Sequence, residues 1–118
     1  MTDERERIES SIRRALSLLE DLSRLPEDLW DLTAYKKALL CRTEIQYSIA
    51  VMRLRTNDPP RPIGRSKIDA PTAVEVLRSS LKAPPSEKNL RDLQMVDLYL
   101  GRIILAMRRR LRAKQNRT

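Results

Sequence analysis

LRDLQMVDLYLGRIILAMRRRL, residues 90–111, is the most regularly patterned part of this chain of 118 residues. Its apolar residues recur every three or four positions, the spacing that places side chains on one face of an α-helix. They are Leu90, Leu93, Val96, Leu100, Ile103, Met107 and Leu111. The pattern predicts a long helix that follows Ser86, a favourable N-cap residue. At about 1.5 Å per residue this helix would be about 40 Å long, so we expect its basic end to project beyond a small bundle.

A second amphipathic pattern covers residues 3–24. Its apolar residues are Ile8, Ile12, Ala15, Leu16, Leu19 and Leu22. Pro26 ends this helix, because proline disfavours helical backbone in the residue before it. Glu27 and Asp28 follow Pro26, where carboxylates offset the positive end of a helix dipole. We therefore predict a short helix over residues 26–32.

The next predicted helix covers residues 33–55, with Thr33 as its cap, and it is the most apolar segment of the chain. Its apolar residues spread around more than one side, so two interpretations remain open: the helix is central in its own bundle, or it presents a second face to another subunit. The residues that we assign to a protein interface are Trp30, Tyr35, Leu40, Tyr47 and Val51.

Residues 56–71 contain four prolines and one glycine, which predicts a long irregular loop. This loop is either a binding segment or a connector. Thr72 and Glu75 form the pattern of a capping box, and the helix that they begin is expected to end near Lys82.

Together these segments predict an all-α fold, a bundle of about four to five helices with a long basic C-terminal helix. Aromatic residues make up 3% of the chain and Phe is absent, so the core must be aliphatic. The length fits a single domain, residues 1–118. Within it we distinguish N-terminal helices (1–55), the Pro-rich loop (56–71), C-terminal helices (72–113) and a basic tail (114–118).

The positive charge is concentrated at the C-terminal end. The formal net charge is +8, and the residues from 102 onward contain seven basic side chains and no acid. Such a cluster favours an anionic partner, with nucleic acid ahead of an acidic protein, although basic residues near a helix C-terminus also satisfy the helix dipole without a partner. The predicted nucleic-acid contacts are Arg102, Arg108, Arg109, Arg110, Arg112 and Lys114 in the helix, with Arg61, Arg65 and Lys67 in the loop.

The residue types needed for common catalytic and metal sites are scarce. The chain has no His and one cysteine, Cys41, which we interpret as a buried apolar residue. Glu27, Asp28 and Asp31 are explained by helix initiation, and a carboxylate-based hydrolase or nuclease is the least favoured alternative. We expect no enzyme activity, no cofactor, no metal and no small-molecule substrate.

The location predicted from the same features is cytoplasmic, with association with the nucleoid as a variant. No apolar stretch approaches the ~18 residues that a membrane span needs. Residues 1–7 are charged, unlike a signal peptide, and a chain without disulfides fits a reducing compartment. Four aromatic residues are too few for sequence-specific reading of single strands, so we expect non-specific binding.

Two segments resemble a known family. LSRLPEDLW, residues 22–30, follows an amphipathic helix and precedes a helix with Tyr35 and Leu39, and residues 97–112 close the chain with an Arg-rich helix. This order of features resembles the helical A domain of archaeal GINS replication subunits. The resemblance implies a non-catalytic scaffold that helps to hold a replicative helicase together and binds its neighbours through helical faces.

The predicted function is therefore that of a helical subunit in a nucleic-acid-processing assembly. It would bind other subunits, or copies of itself, through apolar helix faces and polyanion through the basic helix. Two alternatives stay open: a small helical subunit that lines the nucleic acid in a CRISPR effector complex, and a protein adaptor that docks on an acidic partner.

Overall fold

The computed structural model describes residues 4–55, 68–82 and 87–116, and within these ranges the chain forms helices and no strand. The elements are α1 (Glu4–Ser23), α2 (Leu32–Arg55), α3 (Ala70–Lys82) and α4 (Glu87–Asn116), with the 3-10 helix η1 (Glu27–Leu29) between α1 and α2. The prediction of an all-α helical bundle is confirmed. None of the described helices contains a segment long and apolar enough to cross a membrane.

The helices are arranged as a four-membered ring. α2 packs against α1 and α4, and α3 also packs against α1 and α4. The order around the bundle is therefore α1, α2, α4, α3. α2 runs antiparallel to α1, because Lys37 contacts Asp21 whereas Glu44, later in α2, contacts Arg14, earlier in α1.

The main core is aliphatic, as the composition predicts. Most of the predicted stripes of α1 and α4 are buried, but Leu16, Leu90, Ile103 and Leu111 are only partly buried, and Ile104 is buried next to Ile103. The main cluster contains Ile8, Ile12, Ala15, Leu19, Cys41, Ile45, Ile49, Met52, Ala73, Val74, Leu77, Leu93, Val96 and Leu100.

A second, smaller cluster closes one end of the bundle. It consists of Leu22, Trp30, Ala34, Ala38, Ile104 and Met107. α3 contributes no side chain to it, so α1, α2, α4 and the segment around η1 build this end by themselves. The basic residues of α4 lie beside this cluster.

The segment between α1 and α2 differs from its prediction. The helix expected over residues 26–32 is a single 3-10 turn of three residues, Glu27–Leu29. It ends because Trp30, whose N–H donates to the Glu27 carbonyl at 3.2 Å, has extended backbone that turns the chain toward the core. α2 then begins at Leu32, and its cap is Asp31 rather than Thr33, since the Ala34 N–H donates to Asp31 Oδ1 at 2.9 Å.

The start of α3 also needs a correction. The helix begins at Ala70, so Pro71 lies in its first turn, where a missing N–H costs little. Its cap is Asp69, whose carboxylate accepts the Thr72 N–H at 2.9 Å, and hydrogen bonds from the Thr72 side chain and backbone lower the pKa of Asp69. The predicted capping box of Thr72 and Glu75 is therefore wrong. Residues 56–67 of the Pro-rich loop and Ser86 lie outside the described residues.

α2 and α4 are joined by an ion pair across a glycine. Arg42 Nε lies 3.0 Å from Asp97 Oδ1, and both side chains are about one-third exposed or less. The Arg42 guanidinium rests on Gly101, where an added Cβ would lie 3.2 Å from Nη2. A side chain at position 101 would therefore push against the arginine that connects the two helices. An isolated glycine within a helical pattern often has such a packing reason.

Two leucines of α4 test the position of the core. Leu100 is fully buried, so Leu100→Ala should leave a cavity and lower the free energy of unfolding by about 2–5 kcal/mol. Leu98 lies two residues earlier on the outer side, and Leu98→Ala should change that free energy by less than about 0.5 kcal/mol. Urea unfolding followed by circular dichroism at 222 nm measures both. Equal losses for the two variants would contradict the observed orientation of α4.

Candidate nucleic-acid interface

The candidate interface is the basic end of α4 together with the segment it contacts. η1 and Trp30 lie beneath the last turns of α4, where the Arg110 guanidinium sits 5.7 Å from the centre of the Trp30 ring. The prediction that the basic end projects beyond the bundle is therefore wrong for residues up to Lys114. The helix also continues to Asn116 instead of giving way to a tail at residue 114.

Three cations of this end are held by hydrogen bonds. Arg108 Nε donates to the Tyr35 hydroxyl at 2.7 Å, and Lys114 Nζ donates to the Trp30 carbonyl at 3.4 Å. Arg110 donates both to the Glu27 carbonyl at 3.2 Å and to the Glu27 carboxylate at 2.8 Å. These contacts fix the directions of three basic side chains before any ligand binds, which lowers the entropy lost on binding.

Most of these partners are neutral, so the charge remains. Carbonyl and phenol oxygens accept hydrogen bonds without cancelling the charge of a guanidinium or ammonium group. Arg102 follows the same rule, since it donates to the Ile68 carbonyl at 3.0 Å. Within the described part of the chain, Arg110 is the one cation among residues 102–115 that pairs with a carboxylate. The five cations at this end outnumber the three carboxylates of the adjoining segment, which are those of Glu27, Asp28 and Asp31, so the end of the bundle keeps a net positive charge.

Arg109 and Arg112 point away from the bundle. Both are exposed, and neither makes a hydrogen bond or ion pair with another described residue. They lie three positions apart in α4, about one helical turn. Their guanidinium groups can therefore meet an anionic ligand with little rearrangement.

The predicted nucleic-acid residues divide into three groups. Arg108, Arg109, Arg110, Arg112 and Lys114 come together at one end of the bundle, as their sequence proximity implied. Arg102 lies about 9 Å further back along the helix axis. The three cations predicted in the Pro-rich loop, Arg61, Arg65 and Lys67, lie outside the described residues.

The predicted protein-interface residues have different surroundings. Leu40 and Tyr47 are exposed on α2. Trp30 and Val51 pack against the cores of their own chain, and the Tyr35 hydroxyl is engaged with Arg108. Leu32, Leu39, Leu98 and Leu105 are exposed as well. The interface prediction included none of these four, although Leu98 and Leu105 are seven residues apart and fall outside the core stripe of α4.

A cleft of about 470 Å³ opens between α1 and α2, away from the basic end. The side chains lining it are Glu6, Arg7, Ser10, Ser11, Arg14, Thr43, Glu44 and Tyr47. Its two acids and two arginines balance, and Arg14 pairs with Glu44 at 3.3 Å. The cleft has no net charge that would attract a polyanion.

Metal-binding side chains are scattered over the described part of the chain, and its cysteine is buried. Residues 4–55, 68–82 and 87–116 contain no group of three or more His, Cys, Asp or Glu side chains placed to hold a metal ion. Asp31 caps α2, as described above. Cys41 is fully buried, and its thiol donates to the Ala15 carbonyl at 3.3 Å.

Comparison of the chain with profiles of known protein families, with characterised proteins and with solved structures gives no match. The functional argument therefore rests on the residues described above.

The burial of Cys41 makes the stability of the fold depend on pH in the alkaline range. Burial, with a smaller contribution from Glu44, raises the pKa of the Cys41 thiol to about 12. The folded chain keeps this proton where the unfolded chain releases it, so the contribution to stability is complete below about pH 8.5 and is lost as the pH rises toward 12. We expect iodoacetamide to alkylate Cys41 rapidly in urea and very slowly in the folded protein at pH 8. Fast alkylation of the folded chain would contradict this burial.

Proposed function

We propose that this chain is a non-catalytic helical subunit of a nucleic-acid-processing assembly, which contacts polyanion through the basic end of α4 and other subunits through apolar helix faces. The observation that carries the proposal is the retained charge at that end: one of its cations is paired with a carboxylate, two are held by neutral oxygens alone, and two are exposed without a described partner.

The sequence resemblance supports a role in DNA replication. Residues 22–30, which resemble the GINS A domain, form the end of α1, η1 and Trp30, and residues 97–112 form the part of α4 that packs over them. The two segments that carry the resemblance therefore belong to one contiguous surface. A GINS-like scaffold that holds other subunits near DNA is the specific form of the proposal.

The chemistry of the surface favours the nucleic-acid backbone over the bases. Trp30 is buried, and the hydroxyl of Tyr35 already accepts a hydrogen bond from Arg108. Base stacking needs exposed aromatic faces, whereas phosphates need only cations. Binding should therefore depend on salt and be insensitive to base sequence.

The two exposed arginines provide the first test. Substituting Arg109→Gln and Arg112→Gln together should remove two phosphate contacts, and the slope of log K against log salt should become shallower by about 2 for duplex DNA. Fluorescence anisotropy of a labelled duplex, measured at several salt concentrations, gives this slope.

The matched control removes equal charge elsewhere. Arg7 and Arg13 are exposed on α1, and the double variant Arg7→Gln, Arg13→Gln has the same net charge as the test variant. It should keep the slope of the unmodified protein. If both variants lose the same slope, attraction depends on net charge alone and the proposed surface is wrong.

A gain of binding provides the second test. Glu27→Gln removes the carboxylate that pairs with Arg110 and leaves the Glu27 carbonyl contact possible. Because the pair is largely exposed, its loss should cost little stability, while Arg110 becomes able to contact phosphate. The salt slope should steepen by about 0.9. Glu9→Gln, on α1, changes the net charge equally and should leave the slope unchanged; an equal effect of both substitutions would speak against the site.

A further inference from the structure

Exposed apolar side chains are concentrated on two of the four helices. Among the described residues, the large apolar side chains that remain exposed are Leu29, Leu32, Leu39, Leu40, Tyr47, Leu54, Leu98 and Leu105. Five of them belong to α2 and two to α4, and the described parts of α1 and α3 contain none. Exposed apolar surface grouped in this way is typical of a protein-binding site.

Four of these leucines form two facing rows. Leu32 and Leu39 are seven residues apart in α2, and Leu98 and Leu105 are seven residues apart in α4, so each pair lies along one side of its helix. Leu39 precedes Arg42 by one turn, and Leu98 adjoins Asp97, which Arg42 binds. The two rows therefore flank the contact between α2 and α4. We call the surface formed by Leu32, Leu39, Leu98 and Leu105 the α2–α4 face.

The middle of this face is shallow. Gly101 lies between Leu98 and Leu105 in sequence and has no side chain, and the flat guanidinium of Arg42 covers it. The two rows of leucines lie on either side of this flat centre and suit a third helix with its own apolar stripe.

The charges around the α2–α4 face are positive. Lys36 of α2 and Arg112 of α4 are exposed and make no hydrogen bond or ion pair with other described residues. Asp31, which adjoins Leu32, faces the start of α2 and accepts the Ala34 N–H at 2.9 Å. The other acids nearby are paired or turned aside. Glu44, the single acid of α2, pairs with Arg14, and Asp97 pairs with Arg42. Asp92 lies about 120° around α4 from Leu98.

This charge pattern selects the occupant. A second copy of the chain would bring Lys36 and Arg112 against the same cations, and like charges at an interface are unfavourable. A nucleic acid would satisfy the cations but would desolvate the leucines without an apolar partner. A helix with leucine-like residues on one side and carboxylates at its borders satisfies both.

We propose that the α2–α4 face binds an acidic amphipathic helix of a partner protein. This inference rests on the proposed function, because it identifies the chemistry of the partner subunit, but it involves leucines that DNA binding does not use. Apolar residues of the partner lie between the two rows, and its Asp and Glu side chains pair with the bordering Lys and Arg. The complex depends on both apolar contact and charge.

The test uses the full chain and three synthetic helical peptides of about 21 residues, or three heptads. The acidic peptide has Leu at the a and d positions and Glu at the bordering e and g positions, which also prevents it from pairing with itself. The basic peptide has Lys in place of Glu, and the polar peptide keeps Glu but has Gln in place of Leu. Fluorescence anisotropy of labelled peptide measures binding, and circular dichroism confirms that each protein variant is folded.

We expect the acidic peptide to bind and the two others to bind at least about tenfold more weakly. The protein variant Leu98→Gln, Leu105→Gln should lose at least about tenfold in affinity for the acidic peptide. The matched control Leu40→Gln, Leu54→Gln changes two leucines of α2 that lie outside the two rows and are at least as exposed, and it should bind like the unmodified chain.

Three results would overturn the proposal: equal binding of the acidic and polar peptides, unchanged affinity of the Leu98→Gln, Leu105→Gln variant, or self-association through these leucines that excludes the peptide. The proposal is also wrong if duplex DNA displaces the peptide and the Arg109→Gln, Arg112→Gln variant no longer binds it, although the leucine variant still does. The peptide would then bind at the basic end. The proposed DNA contact is judged separately, because the leucine variant should retain the full salt slope with DNA. The single variant Arg109→Gln leaves Arg112 in place, so a salt slope that is shallower by about 0.9 with peptide binding intact supports both proposals.

Discussion

A helix in a ring of four touches two neighbours, and this constraint determines how much of α2 can be buried. α2 packs on α1 and α4. Near its start it does so through Ala34, Ala38 and Cys41, whose small side chains permit close approach. The helix is apolar around its circumference, so the half that meets no neighbour keeps its leucines in water. Burying a leucine is worth about 1.5–3 kcal/mol relative to leaving it exposed, so a second binding face on α2 has a physical rationale.

The difference in helix length has its own consequence. α3 has 13 residues and α4 has 30, so at about 1.5 Å per residue they differ by about 25 Å. Where α3 is absent, the bundle is closed by Trp30 and η1 instead of a fourth helix. The last turns of α4 rest on this smaller support, which offers the carbonyl oxygens of Glu27 and Trp30 as well as the Glu27 carboxylate. Lys114 is thereby positioned without being neutralised, whereas Arg110 is also paired with a carboxylate.

Periodicity in the sequence predicted the helices and most of the core, because burial on one side of a helix leaves a repeat of three or four residues. It could not predict which helix lies beside which. Arg108 and Tyr35 are 73 positions apart, and Arg110 and Glu27 are 83 apart, so nothing local indicated these contacts. The expectation of a projecting basic end failed for this reason. The predictions of where α2 and α3 begin failed for a different reason. Asp31, two positions before Thr33, and Asp69, three positions before Thr72, supply the caps, because their carboxylates reach the free N–H groups of the first turn.

The two proposed surfaces meet on α4. Leu98, Leu105 and Arg112 follow one another at seven-residue intervals, so a helix that lies along the leucines and continues in the same direction reaches Arg112. Arg112 also belongs to the basic end, and Arg109 lies only about 4.5 Å along the axis from Arg112. This distance is shorter than the Debye length of about 8 Å at physiological ionic strength, so carboxylates bound near Arg112 lower the positive potential at Arg109. An acidic partner helix and a nucleic acid are then antagonists that share one cation. A subunit built in this way would hold its partner more tightly when DNA is absent and release part of that contact when DNA arrives.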